Sequence, residues 1–220
     1  RNGVRVSIDK GKQRFATEMA GHMTGVFGIE PKLAADRSGS ELKLVNRVAA
    51  LAWQQLFGFE GAVSSTKRVP DLVFNAPESQ RLAFLRGYLL GDGTVASGNV
   101  SLATSSYDLA SGILYLLSSL GIVASMSELQ PDELVRQIRG KPCTTKLTHW
   151  NITVSAAEEL HKLQSVWCDH PAAHQVCDHL ERHTRTVNRR FRPLNGDLMA
   201  LPIVAIEEVS ASNGQVYDFS

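Results

Sequence analysis

One order of structural elements occurs twice along the chain, and this repeat constrains the fold more than any other feature. In residues 4–57 the hydrophobic pattern predicts a strand, a helix ending at Gly28, two extended segments and a second helix. The same order returns at 100–166, where the first helix ends at Gly121 and additional residues at 129–147 predict a longer loop or hairpin. The repeat predicts a pseudo-symmetric pair of α/β units.

The junctions between elements also match. Phe27-Gly28-Ile29 aligns with Leu120-Gly121-Ile122, and Leu44–Ala49 aligns with Ile152–Ala157. The alternative is that a common order of strands and helices recurs by chance, in an unrelated α/β interaction domain. Agreement of both the order and the junction residues favours the repeat.

Only the second copy is preceded by an apolar helix, which leads into an acid between two glycines. This segment, residues 81–93, ends in Gly91-Asp92-Gly93. Gly87 and Gly91 share one helix face, and the missing side chains allow a second helix to approach closely. Two such helices side by side bring two carboxylates together, which suits Mg²⁺ and metal-assisted hydrolysis. The alternative is a buried helix followed by an ordinary Asp-Gly turn.

Leu85 to Gly93 resembles the LAGLIDADG motif of homing endonucleases, in the version found in inteins. The resemblance implies an α/β (α+β) fold of two pseudo-symmetric units, whose mixed and antiparallel sheets form a DNA-binding saddle. It implies a site-specific endonuclease that makes double-strand breaks with Mg²⁺ held by motif carboxylates, and Ca²⁺ or Mn²⁺ able to substitute in binding. Asp92 is then catalytic and a metal ligand together with Gly91, while Leu85, Gly87 and Gly91 form the helix interface.

Two further segments are similar to the same family. Lys67-Arg68-Val69-Pro70 resembles the family's basic segment, which implies a catalytic role for Lys67 near the cleavage centre. There are two alternatives: Arg68 is the functional cation, or the segment is a solvated linker. Residues 201–209 and 215–219 look like strands near the end of an intein splicing domain, and the alternation of Val204, Ile206 and Val209 favours strands independently.

The domain organisation follows from the repeat and the resemblance. We expect a first endonuclease half at 1–62 without its motif helix, a linker at 63–78, a second half at 79–168 with its motif helix at 79–93, a basic linker or helical segment at 169–198, and partial splicing-domain strands at 199–220.

DNA contacts are expected on the outward faces of the strands, since the family's sheets lie in the major groove. Long or polar side chains there can reach base edges. The strand candidates are Arg5, Ser7, Asn99, Ser101, Asn151 and Thr153. Arg185, Arg189 and Arg190 belong to the densest cationic run and suit phosphate contacts. A merely solvated sheet face and a solvated linker are the alternatives.

The chain also departs from the family's pattern. A first motif helix is expected just upstream of Arg1 or on a second chain. The N-terminal nucleophile and the terminal His-Asn pair of an intein are missing, so this piece alone is not expected to splice. The alternative function is a catalytically incomplete fragment that binds DNA or supports splicing.

Composition limits the remaining classes. Net charge is +1, so any DNA-binding charge must be gathered on one face. Three cysteines do not form a disulfide framework, and the absence of a signal peptide or membrane span predicts an intracellular protein without a membrane partner. A zinc site is the alternative reading of the cysteines and histidines between Cys168 and His183, but their spacing lacks a finger or ribbon pattern.

Overall fold

The first half of the chain forms a three-stranded antiparallel sheet with two helices. The computed structural model describes residues 3–35, 39–58, 63–138, 141–145, 147–182, 192–194, 199–208, 210 and 214. The elements of the first half are β1 (Val4–Asp9), α1 (Gln13–Phe27), β2 (Lys32–Ala35), β3 (Gly39–Leu44) and α2 (Arg47–Phe57). The strand order is β1-β3-β2. Leu42 and Leu44 of β3 are buried while Glu41 and Lys43 between them are partly exposed, because successive side chains of a strand point to opposite faces.

The second half forms a four-stranded antiparallel sheet of order β4-β5-β9-β6 and a separate hairpin of β7 and β8. This hairpin confirms one of the two structures predicted for the additional residues of the second copy. The elements are α3 (Asp71–Phe74), α4 (Glu78–Asp92), β4 (Gly93–Ala96), β5 (Asn99–Thr104), α5 (Tyr107–Ser118), β6 (Ser125–Leu129), β7 (Asp132–Ile138), β8 (Lys141–Thr145), β9 (His149–Val154), α6 (Ala157–Lys162), α7 (Gln164–Trp167) and α8 (Ala173–Arg182).

The predicted repeat is confirmed by the sheet topology, since β1-β3-β2 has the same order and antiparallel pairing as β5-β9-β6. Helices α1 and α5 are each followed by a glycine with positive φ, Gly28 at 65° and Gly121 at 67°. A side chain would strain this left-handed conformation, so glycine ends both helices.

The predicted alignment at the second junction is wrong by two residues. Val4 pairs with Leu44, whereas Val100 pairs with Val154, so Leu44 corresponds to Val154 and not to Ile152. A shift of two residues keeps every side chain on the same face of its strand. The hydrophobic alternation therefore cannot detect this error.

Side-chain caps fix the first residues of α2 and α5, the helices that follow β3 and β5. The Asn46 side chain accepts a hydrogen bond from the Ala49 backbone N–H at 2.9 Å, at the start of α2. Ser106 accepts from the Leu109 backbone N–H at 3.3 Å, at the start of α5. Each cap satisfies a backbone donor that the helix itself leaves unpaired.

Two hydrophobic clusters form the core, one in each half. The larger cluster surrounds Leu85 and Leu89 of α4 and includes Trp167, whose indole N–H donates to the Leu160 carbonyl oxygen at 2.8 Å. The smaller cluster lies between the first sheet and α1 and includes Leu42. Helix α4 therefore belongs to the core of the second half on one side, which fixes the orientation of its other side.

Residues 1–185 and 186–220 form two compact units. In the second unit β10 (Arg192–Pro193) pairs with β11 (Met199–Ala200). Strands were predicted to continue through 201–209, but residues 201–208 have no regular secondary structure and are exposed, Val204 by 93%. A strand needs a hydrogen-bonded neighbour, and alternation of apolar residues does not supply one. Residues 215–219 lie outside the described residues, and the predicted domain boundaries stay predictions.

No helix in the described part of the chain is long and apolar enough to cross a membrane.

Candidate functional site

The end of α4 presents Asp92 to solvent. Asp92 is the last residue of the helix and is exposed, and Gly93 begins β4 directly after it. The φ of Gly93 is −90°, which is open to any residue, so conformational freedom is not the reason for a glycine here. Glycine is needed because a Cβ there would lie 2.7 Å from the Leu89 Cα and 2.8 Å from the Leu89 carbonyl oxygen. The close approach of β4 to α4 thus holds Asp92 at the junction.

One face of α4 has no covering neighbour among the described residues. Gly87 and Gly91 are exposed, and a Cβ built on either meets no atom within 4 Å. Leu85 was predicted to share this interface but is fully buried in the core of the second half. Two residues turn a helix by about 200°, so Leu85 lies on the opposite side from Gly87. The interface role of Gly87 and Gly91 stays a prediction.

A lysine from the first half contacts the same helix end. The Lys12 ammonium, in the turn between β1 and α1, donates to the Leu90 carbonyl oxygen and to the Gly91 carbonyl oxygen at 2.8 Å. The last carbonyls of a helix carry partial negative charge, which favours a cation there. Sequence reasoning missed Lys12 because 78 residues separate it from Leu90.

The backbone of Lys67 lies at the same end of the sheet as Asp92. The Ser106 hydroxyl donates to the Lys67 carbonyl oxygen at 2.5 Å, just beyond the end of β5. Gly93 pairs with Leu102 near the end of β5, so the start of β4 and the end of β5 lie at the same end of the sheet. The Lys67 side chain is exposed. Its catalytic role stays a prediction, supported by this placement.

Tyr88 joins α4 to the end of β5. Its hydroxyl donates to the Ala103 carbonyl oxygen at 2.8 Å. Burial raises the pKa of Tyr88; the hydrogen bond with Thr104 lowers it, and the negative charge of Asp92 raises it further. The phenol therefore stays protonated one helical turn before Asp92 and remains a hydrogen-bond donor.

A second contact between the halves centres on Arg86, which lies on α4. The guanidinium donates to both carboxylate oxygens of Glu18 on α1, at 2.8 and 3.0 Å. It also donates twice to one Asp169 carboxylate oxygen, at 3.0 and 2.5 Å. Arg14 donates to the Asp169 carbonyl oxygen at 2.5 Å. These pairs raise the pKa of Arg86, lower the pKa of Glu18 and join α1 to α4.

Replacing Arg86 with leucine is expected to lower the free energy of unfolding at pH 7 by about 2 to 3 kcal/mol, because the carboxylates of Glu18 and Asp169 lose their hydrogen bonds from its guanidinium. The pKa of Glu18 is lowered chiefly by its hydrogen bond with Arg86. Its contribution is therefore present above the ordinary value of 4.5 and lost as the pH falls through the folded pKa. Denaturant unfolding of both proteins should show the difference shrinking as the pH falls below 4.5.

The matched control for this prediction is Arg68→Leu, because the Arg68–Asp71 pair is long at 4.0 Å and its side chains are 60% and 80% exposed. Exposed pairs of this kind contribute at most about 1 kcal/mol. Equal losses for the Arg68 and Arg86 variants would contradict the assigned role of Arg86.

The predicted DNA-contacting residues of the strands all lie on outward faces. Val100 and Leu102 alternate with the partly exposed Asn99 and Ser101, and Ile152 and Val154 alternate with Asn151 and Thr153 in the same way. The Ser101 and Thr153 hydroxyls lie 3.0 Å apart. In the first half Arg5 and Ser7 are exposed, and Arg5 approaches Glu41 at 3.9 Å. Their role in binding stays a prediction.

Some of the predicted residues cannot be placed. Arg185, Arg189 and Arg190 lie outside the described residues, as does His183 of the zinc alternative. Cys168 and Cys177 are exposed free thiols. Within the described residues no three His, Cys, Asp or Glu side chains form a group that could hold a metal ion.

The end of α4 fits one half of a shared divalent-cation site. Asp92 is an exposed carboxylate, and the neighbouring carbonyl oxygens of Leu90 and Gly91 accept a cationic group, Lys12. Hard divalent cations prefer such oxygen donors, and Mg²⁺ is often held by only one or two carboxylates together with water and phosphate oxygens.

Parts of the chain are similar to known proteins. Residues 79–165 match the model of the LAGLIDADG-like domain. The chain is 34% identical over 120 residues to a DNA polymerase of Thermococcus sp. strain GE8, covering 54% of this chain and 7% of the polymerase. It is 29% identical over 123 residues to one component of the A-type ATP synthase of Pyrococcus abyssi, covering 54% of this chain and 12% of that protein.

The fold is shared with solved structures of the homing endonuclease I-DmoI. The complex of I-DmoI with DNA and Ca has a TM-score of 0.54 at 12% identity and covers 82% of this chain and 83% of that one. Complexes in the presence of Mg and with Mn each have a TM-score of 0.52. The predicted fold is thus confirmed, apart from the splicing-domain strands.

Proposed function

We propose that this chain, which contains a LAGLIDADG-like domain at residues 79–165, is the DNA-cutting part of an intein-encoded homing endonuclease. The observation that supports it most is the end of α4. There an exposed Asp92 lies beside two cation-accepting carbonyls and next to a helix face left open by Gly87 and Gly91. The substrate is double-stranded DNA, whose phosphodiester bonds are hydrolysed on both strands.

In this proposal each residue has a distinct task. Asp92 and the Gly91 carbonyl oxygen would hold Mg²⁺ at the end of α4. When bound, Mg²⁺ supplies activation of water and stabilisation of the charge that develops on the phosphate. Lys67 approaches the phosphate from the same end of the sheet and offsets the negative charge of the phosphate. Lys12 keeps positive potential at the helix end, and Tyr88 fixes the helix against β5.

A second motif helix completes the site, and among the described residues nothing covers either of the faces that it needs. In the second half α7 packs on α4, and Val166 is 1% exposed. The repeat makes Leu56 of α2 the counterpart of Val166, yet Leu56 is 60% exposed. An α4-like helix from an upstream segment or a second chain would cover Leu56 and lie along Gly87 and Gly91. It would bring a second carboxylate to Asp92.

The intein context is supported by the pattern of relatives. The chain resembles small parts of two enzymes with unrelated chemistry, a DNA polymerase and an ATP synthase. An element inserted into different host proteins accounts for this pattern. The alternative function is a fragment that binds DNA or supports splicing without cutting.

A cleavage assay tests the proposal. The chain, joined to its second motif helix, is incubated with a duplex that carries the uninterrupted host-gene site, with Mg²⁺ or with a chelator. We expect a double-strand cut with Mg²⁺ and intact DNA with the chelator. Binding without nicking in the presence of Mg²⁺ would reject the nuclease and favour the alternative.

A further inference from the structure

The register of the two sheets places corresponding residues in corresponding rows. In the first half Lys32 pairs with Lys43, and Lys43 pairs with Arg5, so three cationic residues cross the sheet in one row. In the second half the same positions are taken by Ser125, Thr153 and Ser101, which pair in the same order. The two rows share their position in the repeat but differ completely in charge.

The next row of each sheet continues the contrast. In the first half it consists of Ala34, Glu41 and Ser7. In the second half it consists of Ser127, Asn151 and Ala103, which carry no charge. Each sheet therefore has its own set of donors and acceptors on the outward face.

Glu41 organises the charged face of the first half. Its carboxylate lies 2.7 Å from the Lys43 ammonium and 3.9 Å from the Arg5 guanidinium. The side chain of Arg5 is 73% exposed, whereas those of Lys43 and Glu41 are 34% and 28% exposed. Arg5 thus projects furthest from the sheet, with the Lys43–Glu41 pair beside it.

These side chains differ in the bases that they recognise. In the major groove arginine and lysine donate to guanine O6 and N7, and glutamate accepts from cytosine N4. Asparagine pairs with adenine N6 and N7, serine and threonine bind either type of base, and small apolar side chains contact the thymine methyl group. The first face therefore suits G·C pairs, while Asn99, Asn151 and Ala103 of the second face suit A·T pairs.

We infer that the target is compositionally asymmetric, with G·C pairs at the base positions under Arg5, Lys43 and Glu41 and A·T pairs under Asn99 and Asn151. This inference rests on the proposed DNA-binding function and deepens it. Arg5 and Lys43 are then specificity-determining residues for one half of the target, and Asn151 is one for the other half.

Selection from a randomised duplex library tests the inference, using the chain joined to its second motif helix. We expect the selected duplexes to be richer in G·C pairs in one half than in the other. The Arg5→Ala variant should lose about 10- to 100-fold of its discrimination for guanine in that half only. The Asn151→Ala variant at the second face should relax adenine preference in the opposite half.

The outcomes distinguish a failure of this inference from a failure of the proposed DNA-binding function. Selected duplexes of equal composition in both halves, or an Arg5→Ala variant with unchanged preference, would overturn the inference while DNA binding stands. Binding to no duplex at all would reject the DNA-binding function itself and the inference with it. Circular dichroism and thermal unfolding of the variants verify that each is folded, as expected for positions on the outward faces of the sheets.

Discussion

Replacing Asp92 with asparagine is expected to abolish cutting, by about 1,000-fold or more, while leaving DNA binding unchanged. Asparagine has the same shape as aspartate but no charge, so it holds a divalent cation much more weakly. Because Asp92 is exposed at the end of α4, the substitution should change stability by no more than about 0.5 kcal/mol. Cleavage rates with Mg²⁺ and gel-shift titrations with Ca²⁺ measure the two effects separately.

Asp71→Asn is the matched control for this substitution. Asp71 is also exposed, and it lies at the start of the short helix α3 and not at the end of α4. We expect normal cutting from this variant. If the Asp92 variant still cut DNA at a comparable rate, its assignment as the metal ligand would be wrong.

Replacing Gly87 with leucine is expected to have opposite effects on the chain and on its activity. A Cβ at Gly87 meets no described atom within 4 Å, and glycine is a poor helix former. The chain alone should therefore become more stable, by about 0.5 to 1 kcal/mol. Pairing with the second motif helix needs close backbone approach, so cutting should fall below detection.

Unfolding of the isolated chain and cleavage by the completed protein measure these two effects. Gly21→Leu is the matched control, because Gly21 also lies inside a helix, α1, with open space around it. It should gain similar stability and keep its activity. Loss of activity in both variants, or in neither, would contradict a helix interface at Gly87.

Features set by near neighbours in sequence were predictable. The helix ends at Gly28 and Gly121 depend on a left-handed residue after the last turn, and a glycine in that place signals it. The motif likewise predicted that α4 ends at Asp92, directly before Gly93. The outward side chains of β1, β5 and β9 followed from the period of two along a strand.

Features set by distant partners were not predictable. Arg86 meets Glu18 and Asp169 across 68 and 83 residues, and nothing in the local pattern of charge selects those partners. The sharing of one row by Lys32, Lys43 and Arg5 depends on the register between strands, which alternation leaves undetermined in steps of two. Leu85 was misplaced because a motif does not state which helix face meets the core.

The correspondence of Arg5 with Ser101 has a consequence for the symmetry of the target. Two identical protomers present the same side chains at both ends of a duplex and so favour a palindrome. In this chain the backbones of the two halves repeat, but the outward side chains at matching positions do not. A duplex read by both faces therefore needs no twofold axis, and each end of the target can change in sequence independently of the other.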